Sequence, residues 1–216
     1  MTNFKNKSLI IFDWDGTLMD SVGLIVDAMR HAAEQHSLTV TDDATKSIIG
    51  IALVDAFPML FPNDSDKYDD LLATYSEYYV QHCDNDKLFD GVKELIEVLH
   101  QQGKILAIAT GKKRKGLERV LPNSGIEPFF TITKTADETA GKPNPLMLEQ
   151  ILAETGKDVD DAVFVGDSIH DIRMANNIDI DSIAVSYGCE KADVLAQETP
   201  SALVKSVKDL KKLLLP

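Results

Sequence analysis

Two cysteines, Cys83 and Cys189, are too few to staple a fold, and they stand at no metal-ligand spacing. A disulfide framework and a cysteine-based zinc site are therefore excluded, and both residues read as ordinary buried thiols. Positive charge is scarce as well: 22 Lys and Arg against 35 Asp and Glu leave a formal charge of −13. Such a balance repels nucleic acid and anionic membrane, which bind through clustered cations, and points to small-molecule partners. Long apolar runs are also missing. The run at residues 9–12 stops at Asp13, far short of a signal-peptide core, and no stretch approaches a membrane span, so cytoplasmic residence is the expectation. What is present is a 216-residue chain, 44% hydrophobic, long enough to bury a core and to carry a smaller partner domain. Its negative charge sets one condition: a site for an anionic ligand needs a placed lysine or a metal ion.

Residues 8–12 form a short, β-branched apolar run that ends in Asp-Trp-Asp-Gly-Thr, the pattern of a buried parallel strand entering a loop. Similar runs at 105–109, 162–165 and 183–185 end in Thr-Gly, in Gly-Asp-Ser and near Gly188. Between them lie apolar residues at helical spacing: Val92, Leu95, Ile96 and Leu99, then Leu146, Leu148, Ile151 and Leu152. Alternating strand and helix predicts an α/β fold, a Rossmann-like doubly wound parallel sheet whose ligands bind outside the carboxyl ends of its strands. Residues 20–86 break the alternation. They carry helical patterns at 24–33 and 71–80 and no buried strand, so they read as a helical insertion, with a turn at Pro58, Pro62, Asn63 and Asp64 and a return at Asp84, Asn85 and Asp86.

Asp13 and Asp15 stand one residue apart at the end of the first strand, so their side chains can point to one side of the loop. Two such carboxylates repel unless a hard cation lies between them or one stays protonated, and Asp167 at another strand end could complete an oxygen-ligand Mg²⁺ site. Any one of these acids alone reads as a turn former. In combination the balance changes: Phe12-Asp13-Trp14-Asp15-Gly16-Thr17-Leu18 is followed by Thr110-Gly111, by Gly141-Lys142-Pro143, and by Gly166-Asp167-Ser168 with Asp171 beyond.

This ordered set resembles the haloacid dehalogenase superfamily, in its phosphoglycolate phosphatase-like branch with a helical cap inserted after the first motif. The resemblance covers nearly the whole chain. It implies a Mg²⁺-dependent phosphatase with Asp13 as nucleophile, Asp15 as general acid and base, and Thr17 orienting the loop. It further implies that Thr110 and Gly111 bind phosphate, that Lys142 offsets the charge of nucleophile and phosphoryl group, and that Asp171 supports the metal site. Asp13, Asp167 and the backbone carbonyl of Asp15 would be metal ligands. These roles are physically coherent, because a carboxylate attacking a phosphate dianion needs cations to stabilise the equatorial oxygens. A carboxylate nucleophile is already ionised at its ordinary pKa, so Asp13 is expected to need no base.

One departure is the Ile178-Asp179 pair where the family has Ala-Gly; Asp tolerates the left-handed conformation, so a modest stability cost is expected. Lys112, Lys113, Arg114 and Lys115 read as a solvated helix start, with attraction of anionic substrate as the functional alternative. Gly111-Lys112-Lys113 lacks the spacing of a phosphate-binding P-loop, and residues 13–17 lack the third ligand and leading helix of a calcium loop. His170 reads as a group beside the site and not of it, Trp14 as packing, and Gly50, by resemblance, as part of a cap loop over the site.

The expectation is thus a catalytic core at 1–19 and 87–216 and a helical cap at 20–86, hydrolysing a small phosphate ester, phosphoglycolate being the first to test. A phosphosugar mutase is the alternative, disfavoured because the insertion offers only Arg30, Lys46 and Lys67 to hold a second phosphate. A dehalogenase has no leaving alkoxide to protonate and no use for Asp15. A non-catalytic binding protein has no reason to keep mutually repelling acids.

Overall fold

The structure, a computed structural model, describes residues 3–85 and 87–216. Its centre is a parallel sheet of six strands in the order β3-β2-β1-β4-β5-β6. The strands are β1 (Leu9–Phe12), β2 (Ile105–Thr110), β3 (Ile132–Thr135), β4 (Ala162–Gly166), β5 (Asp181–Val185) and β6 (Ala202–Val204). Strand β1 lies in the middle, with Phe12 in register with Ile108 of β2 on one side and Val165 of β4 on the other. Every residue of β1 is buried, as a strand covered on both faces requires.

The strands β3 and β6 were not legible as apolar runs. Both lie at sheet edges, where Ile132-Thr-Lys-Thr and Ala-Leu-Val are short and half-exposed, so burial imposes little pattern on them.

After β1 the chain leaves the sheet for α1 (Val22–Gln35), α2 (Asp42–Ser47), α3 (Leu53–Leu60) and α4 (Tyr68–His82). Helix α1 lies against α4, burying Met29, Ala32 and Ala33 of one and Leu71 and Tyr75 of the other. Pro58 falls inside α3, and the turn begins only after Leu60. It removes one N–H bond to the turn at Val54, a residue exposed on the surface of α3. Asp86 of the expected return lies outside the described residues. The two crossings between sheet and insertion pair with each other: Asp20 N–H donates to Lys87 O (2.9 Å) and Phe89 N–H to Leu18 O (3.1 Å).

The chain then runs through α5 (Val92–Gln101), β2, α6 (Arg114–Ser124), β3, α7 (Leu146–Thr155), β4, α8 (Ile169–Asn176), β5, α9 (Ala192–Gln197), β6 and α10 (Val207–Leu214). Helix α5 turns Val92, Leu95, Ile96 and Leu99 onto one apolar cluster, whereas Met147, Leu148 and Ile151 of α7 join another with Leu9 and Ile11. The sheet is therefore covered on both faces. Asp179, where a capping glycine is absent, takes φ 58°, the left-handed conformation expected of it.

Leu95 is fully buried, so Leu95→Ala is expected to cost about 2–5 kcal/mol in urea unfolding, whereas Val54→Ser on the exposed face of α3 stays within about 0.5 kcal/mol. Equal effects would contradict this assignment of core and surface.

Candidate active site

The carboxyl ends of β1, β2 and β4 meet where the chain passes from one side of β1 to the other, the place at which open parallel sheets form a crevice. Asp13 leaves β1 there, its N–H donating to Val165 O at 2.9 Å. Lys142, in the loop between β3 and α7, reaches in to donate to Asp13 Oδ1 (2.6 Å) and Asp171 Oδ1 (2.7 Å), with its ammonium 5.5 Å from the centre of the Phe164 ring.

Asp171 is fixed by local sequence. Ser168 caps α8 and Asp171 stands three residues later, so its Oδ2 accepts from the Ser168 N–H (3.0 Å), the Ser168 hydroxyl (2.8 Å) and the Asp167 N–H (3.2 Å). Asp167 accepts from the Thr17 hydroxyl (3.0 Å) and from the Cys189 N–H (2.7 Å). The approach is close: a Cβ on Gly16, which has φ +75°, would lie 2.0 Å from Asp167 Oδ2. Cys189 is buried as expected, and burial followed by Asp167 pushes its thiol pKa up, so it stays protonated.

Asp13, Asp167 and Asp171 each offer an oxygen within 4.8 Å of the others. Burial raises the pKa of Asp13, against the pull of Lys142 and with that of Asp171 and Asp167; burial and then Asp171 push Asp167 up to about 7. Burial alone would lower the Lys142 pKa, yet Asp13 and Asp171 hold it above the ordinary lysine value. Without a further cation, burial thus favours protons on Asp13 and Asp167, and the ionised Asp13 expected from its ordinary pKa calls for a cation beside it. The set fits a divalent metal ion. Its donors are all oxygens, three carboxylates less one ammonium leave two negative charges, and Asp13 Oδ2 is buried with no hydrogen-bond partner.

The Asp15 carboxylate is not in this cluster. Its Oδ1 accepts from Ser21 Oγ (2.6 Å) and pairs with Lys112 Nζ (3.1 Å). Lys112 is thus not part of a solvated helix start, because the chain reaches α6 only at Arg114 and the Lys112 side chain turns inward to 12% exposure. Burial would lower its pKa too, but Asp15 and then Tyr79 hold it above the ordinary value. Thr110 and Gly111 end β2, with Thr110 Oγ1 accepting from the Lys112 N–H (3.2 Å). Gly111 faces the insertion so closely that a Cβ on it would lie 2.4 Å from Gly50 O, and one on Gly50 would lie 2.8 Å from Ser168 Oγ. Trp14 is fully buried in the main apolar cluster. His170 extends from α8 to the Ser47 carbonyl, 3.1 Å from its Nε2, and so joins the sheet to the insertion.

A family model described as haloacid dehalogenase-like hydrolase matches residues 10–185. The chain belongs to that family. It is accordingly a hydrolase, and its relatives carry phosphatase names. Pyrophosphatase PpaX of Halalkalibacterium halodurans is 32% identical over 93% of this chain and 94% of its own length. A haloacid dehalogenase-like hydrolase from Bacteroides fragilis superposes with TM-score 0.86 at 26% identity, over 94% of this chain and 99% of its own. A predicted phosphoglycolate phosphatase from Haemophilus somnus gives 0.84 at 26% identity, over 99% of both. Of the groups around the site, Ser168 was signalled by the spacing of its capping box. Ser21 and Lys112 had no local signal, because only the fold brings them to Asp15.

An acid whose folded pKa lies above its unfolded value binds extra protons when folded, so its stabilising contribution is full below the unfolded pKa and falls as pH rises. For Asp167 that window runs from its ordinary 3.8 to about 7. In chelator-treated protein, wild type is expected to lose stability relative to Asp167→Asn as pH rises from 5 to about 7 in urea titrations. A difference that does not change with pH would contradict the burial of this charge.

Proposed function

We propose that this hydrolase is a Mg²⁺-dependent phosphatase that cleaves small phosphate monoesters through a phospho-aspartate on Asp13. The observation that carries the reading is the state of Asp13: Oδ1 is held by Lys142 while Oδ2 is buried, unpartnered and available to attack. Residues 20–86 act as a cap over the strand ends, and exclusion of water by such a lid suits small substrates.

In this mechanism the phosphoryl group enters between Asp13 and the loop of Thr110 and Gly111, which binds its oxygens. Asp13 attacks the phosphorus in line with the leaving oxygen. Lys142 holds the nucleophile in place and offsets the charge gathering on the equatorial oxygens. Asp15 protonates the departing alkoxide, then takes a proton from the water that attacks phospho-Asp13. Asp13, Asp167 and the Asp15 carbonyl, with Asp171 in support, would hold Mg²⁺, which when bound would neutralise charge on the phosphoryl oxygens. Thr17 keeps Asp167 oriented through the hydrogen bond already described.

Phosphoglycolate is one substrate to test, and inorganic pyrophosphate becomes a second because a relative at 32% identity carries the name pyrophosphatase. Two of the three cap cations favour hydrolysis over a mutase reaction. Arg30 is engaged by Asp27 and Asp42, and Lys67 by Asp64, so neither is kept for a second phosphate. Cytoplasmic residence fits the reading; no helix among the described residues is long and apolar enough to cross a membrane.

Purified protein is expected to release phosphate from members of an ester and pyrophosphate panel only with Mg²⁺, and Asp13→Asn is expected to abolish release. Release that survives either Mg²⁺ removal or Asp13→Asn would contradict the proposal.

A further inference from the structure

Lys112 has no part in the steps above, yet it is the one member of the basic run 112–115 to turn inward. Lys113 and Lys115 are exposed, and Arg114 forks onto Glu138 while reaching Thr133. Lys112 lies between the loop after β2 and helix α4 of the insertion. Its backbone is fixed on both sides: its N–H donates to Thr110 Oγ1 (3.2 Å) and its carbonyl accepts from the Ala136 N–H (3.0 Å). The ammonium stands 3.1 Å from Asp15 Oδ1, donates to the Tyr79 phenol oxygen at 3.0 Å, and lies 4.4 Å from the centre of the Tyr79 ring.

An ammonium taken out of water is retained only where partners replace its hydration, and here the partners come from both halves of the molecule. The distribution of donors on Asp15 is uneven. Ser21 Oγ (2.6 Å) and Lys112 Nζ fall on the same oxygen, Oδ1, and Oδ2 takes no hydrogen bond from the described residues.

We infer that Lys112 is a positioning residue for Asp15: with Ser21 it fixes Oδ1, leaves Oδ2 as the oxygen that carries the proton, and through Tyr79 ties that geometry to the seating of α4. The inference rests on the proposed acid and base role of Asp15. In the first step the Oδ2 proton passes to the leaving oxygen as the bond from phosphorus to that oxygen breaks and the Asp13–phosphorus bond forms. In the second step Oδ2 takes a proton from water as the water oxygen bonds to phosphorus and phospho-Asp13 is cleaved. A carboxyl free to rotate would offer either oxygen to either step, and would lose alignment with the leaving group.

Leaving-group chemistry separates this role from a merely structural one. First-turnover release is followed by rapid mixing with p-nitrophenyl phosphate, whose phenolate departs without a proton, and with an alkyl phosphate, whose alkoxide does not. Lys112→Met is expected to slow the alkyl ester about 10-fold more than the aryl ester. Tyr79→Phe, which keeps the ring and so serves if Lys112→Met does not fold, is expected to shift the ratio in the same direction by about 3-fold. In an Asp15→Asn background, Lys112→Met should leave the ratio where Asp15→Asn alone puts it. Equal slowing of both esters, or a further change in the double variant, would overturn the role. If wild type released neither leaving group, the hydrolytic reading itself would fall and take this inference with it.

Discussion

The contact between Lys142 and two buried carboxylates is the interaction on which the site depends. Asp13 follows β1, Asp171 lies in the first turn of α8 and Lys142 comes from a third loop, so the ammonium bridges three segments that are buried together. A pair of this kind is a poor source of stability, since dehydrating the charges offsets much of their attraction. Its value is geometric. It fixes one oxygen of Asp13 and leaves the other buried without a hydrogen-bond partner, and the surplus negative charge of the three acids makes the crevice a place for a hard cation. The scarcity of positive charge in the chain as a whole is thereby answered at a single point.

Around this contact the fold is organised in two shells of close approach. Glycines at 16, 166 and 188 let the backbone fold directly onto Asp167 and Asp171, where a methyl group would collide with a carboxylate oxygen. Farther out, the insertion is seated on the same strand ends through Gly50 against Gly111, His170 against Ser47, and Tyr79 against Lys112. The paired crossings at residues 18–20 and 87–89 fix where the insertion leaves and rejoins the sheet. Displacement of the insertion from the sheet would break contacts that end on Asp15, which places the Asp15 carboxylate and the seating of α4 under one set of constraints.

Much of this was legible in the sequence, for identifiable reasons. The strands β1, β2, β4 and β5 carry continuous apolar runs because both their faces are covered, and the acids at their ends stand out against those runs. The edge strands β3 and β6 carry no such run. Within the site, Asp13, Lys142, Asp167 and Asp171 occupy motifs of local spacing, and the fold brings them together. Lys112 was misread because a cluster of basic residues usually means solvent, and nothing adjacent reveals that its partners are Asp15, 97 positions earlier, and Tyr79 of the insertion. The burial that raises the Asp13 pKa had no local signal either, since it depends on the assembled fold.

The proposed reaction stands on covalent phosphorylation of Asp13. The direct measurement is acid quenching during turnover of an ester the protein is found to hydrolyse, followed by mass spectrometry of the peptide containing residues 8–17. A phosphoryl group on Asp13 is expected to form within the first turnover and to disappear when substrate is exhausted. Sustained phosphate release with that peptide unmodified at every quench time, under conditions where a chemically prepared acyl phosphate survives the work-up, would contradict it.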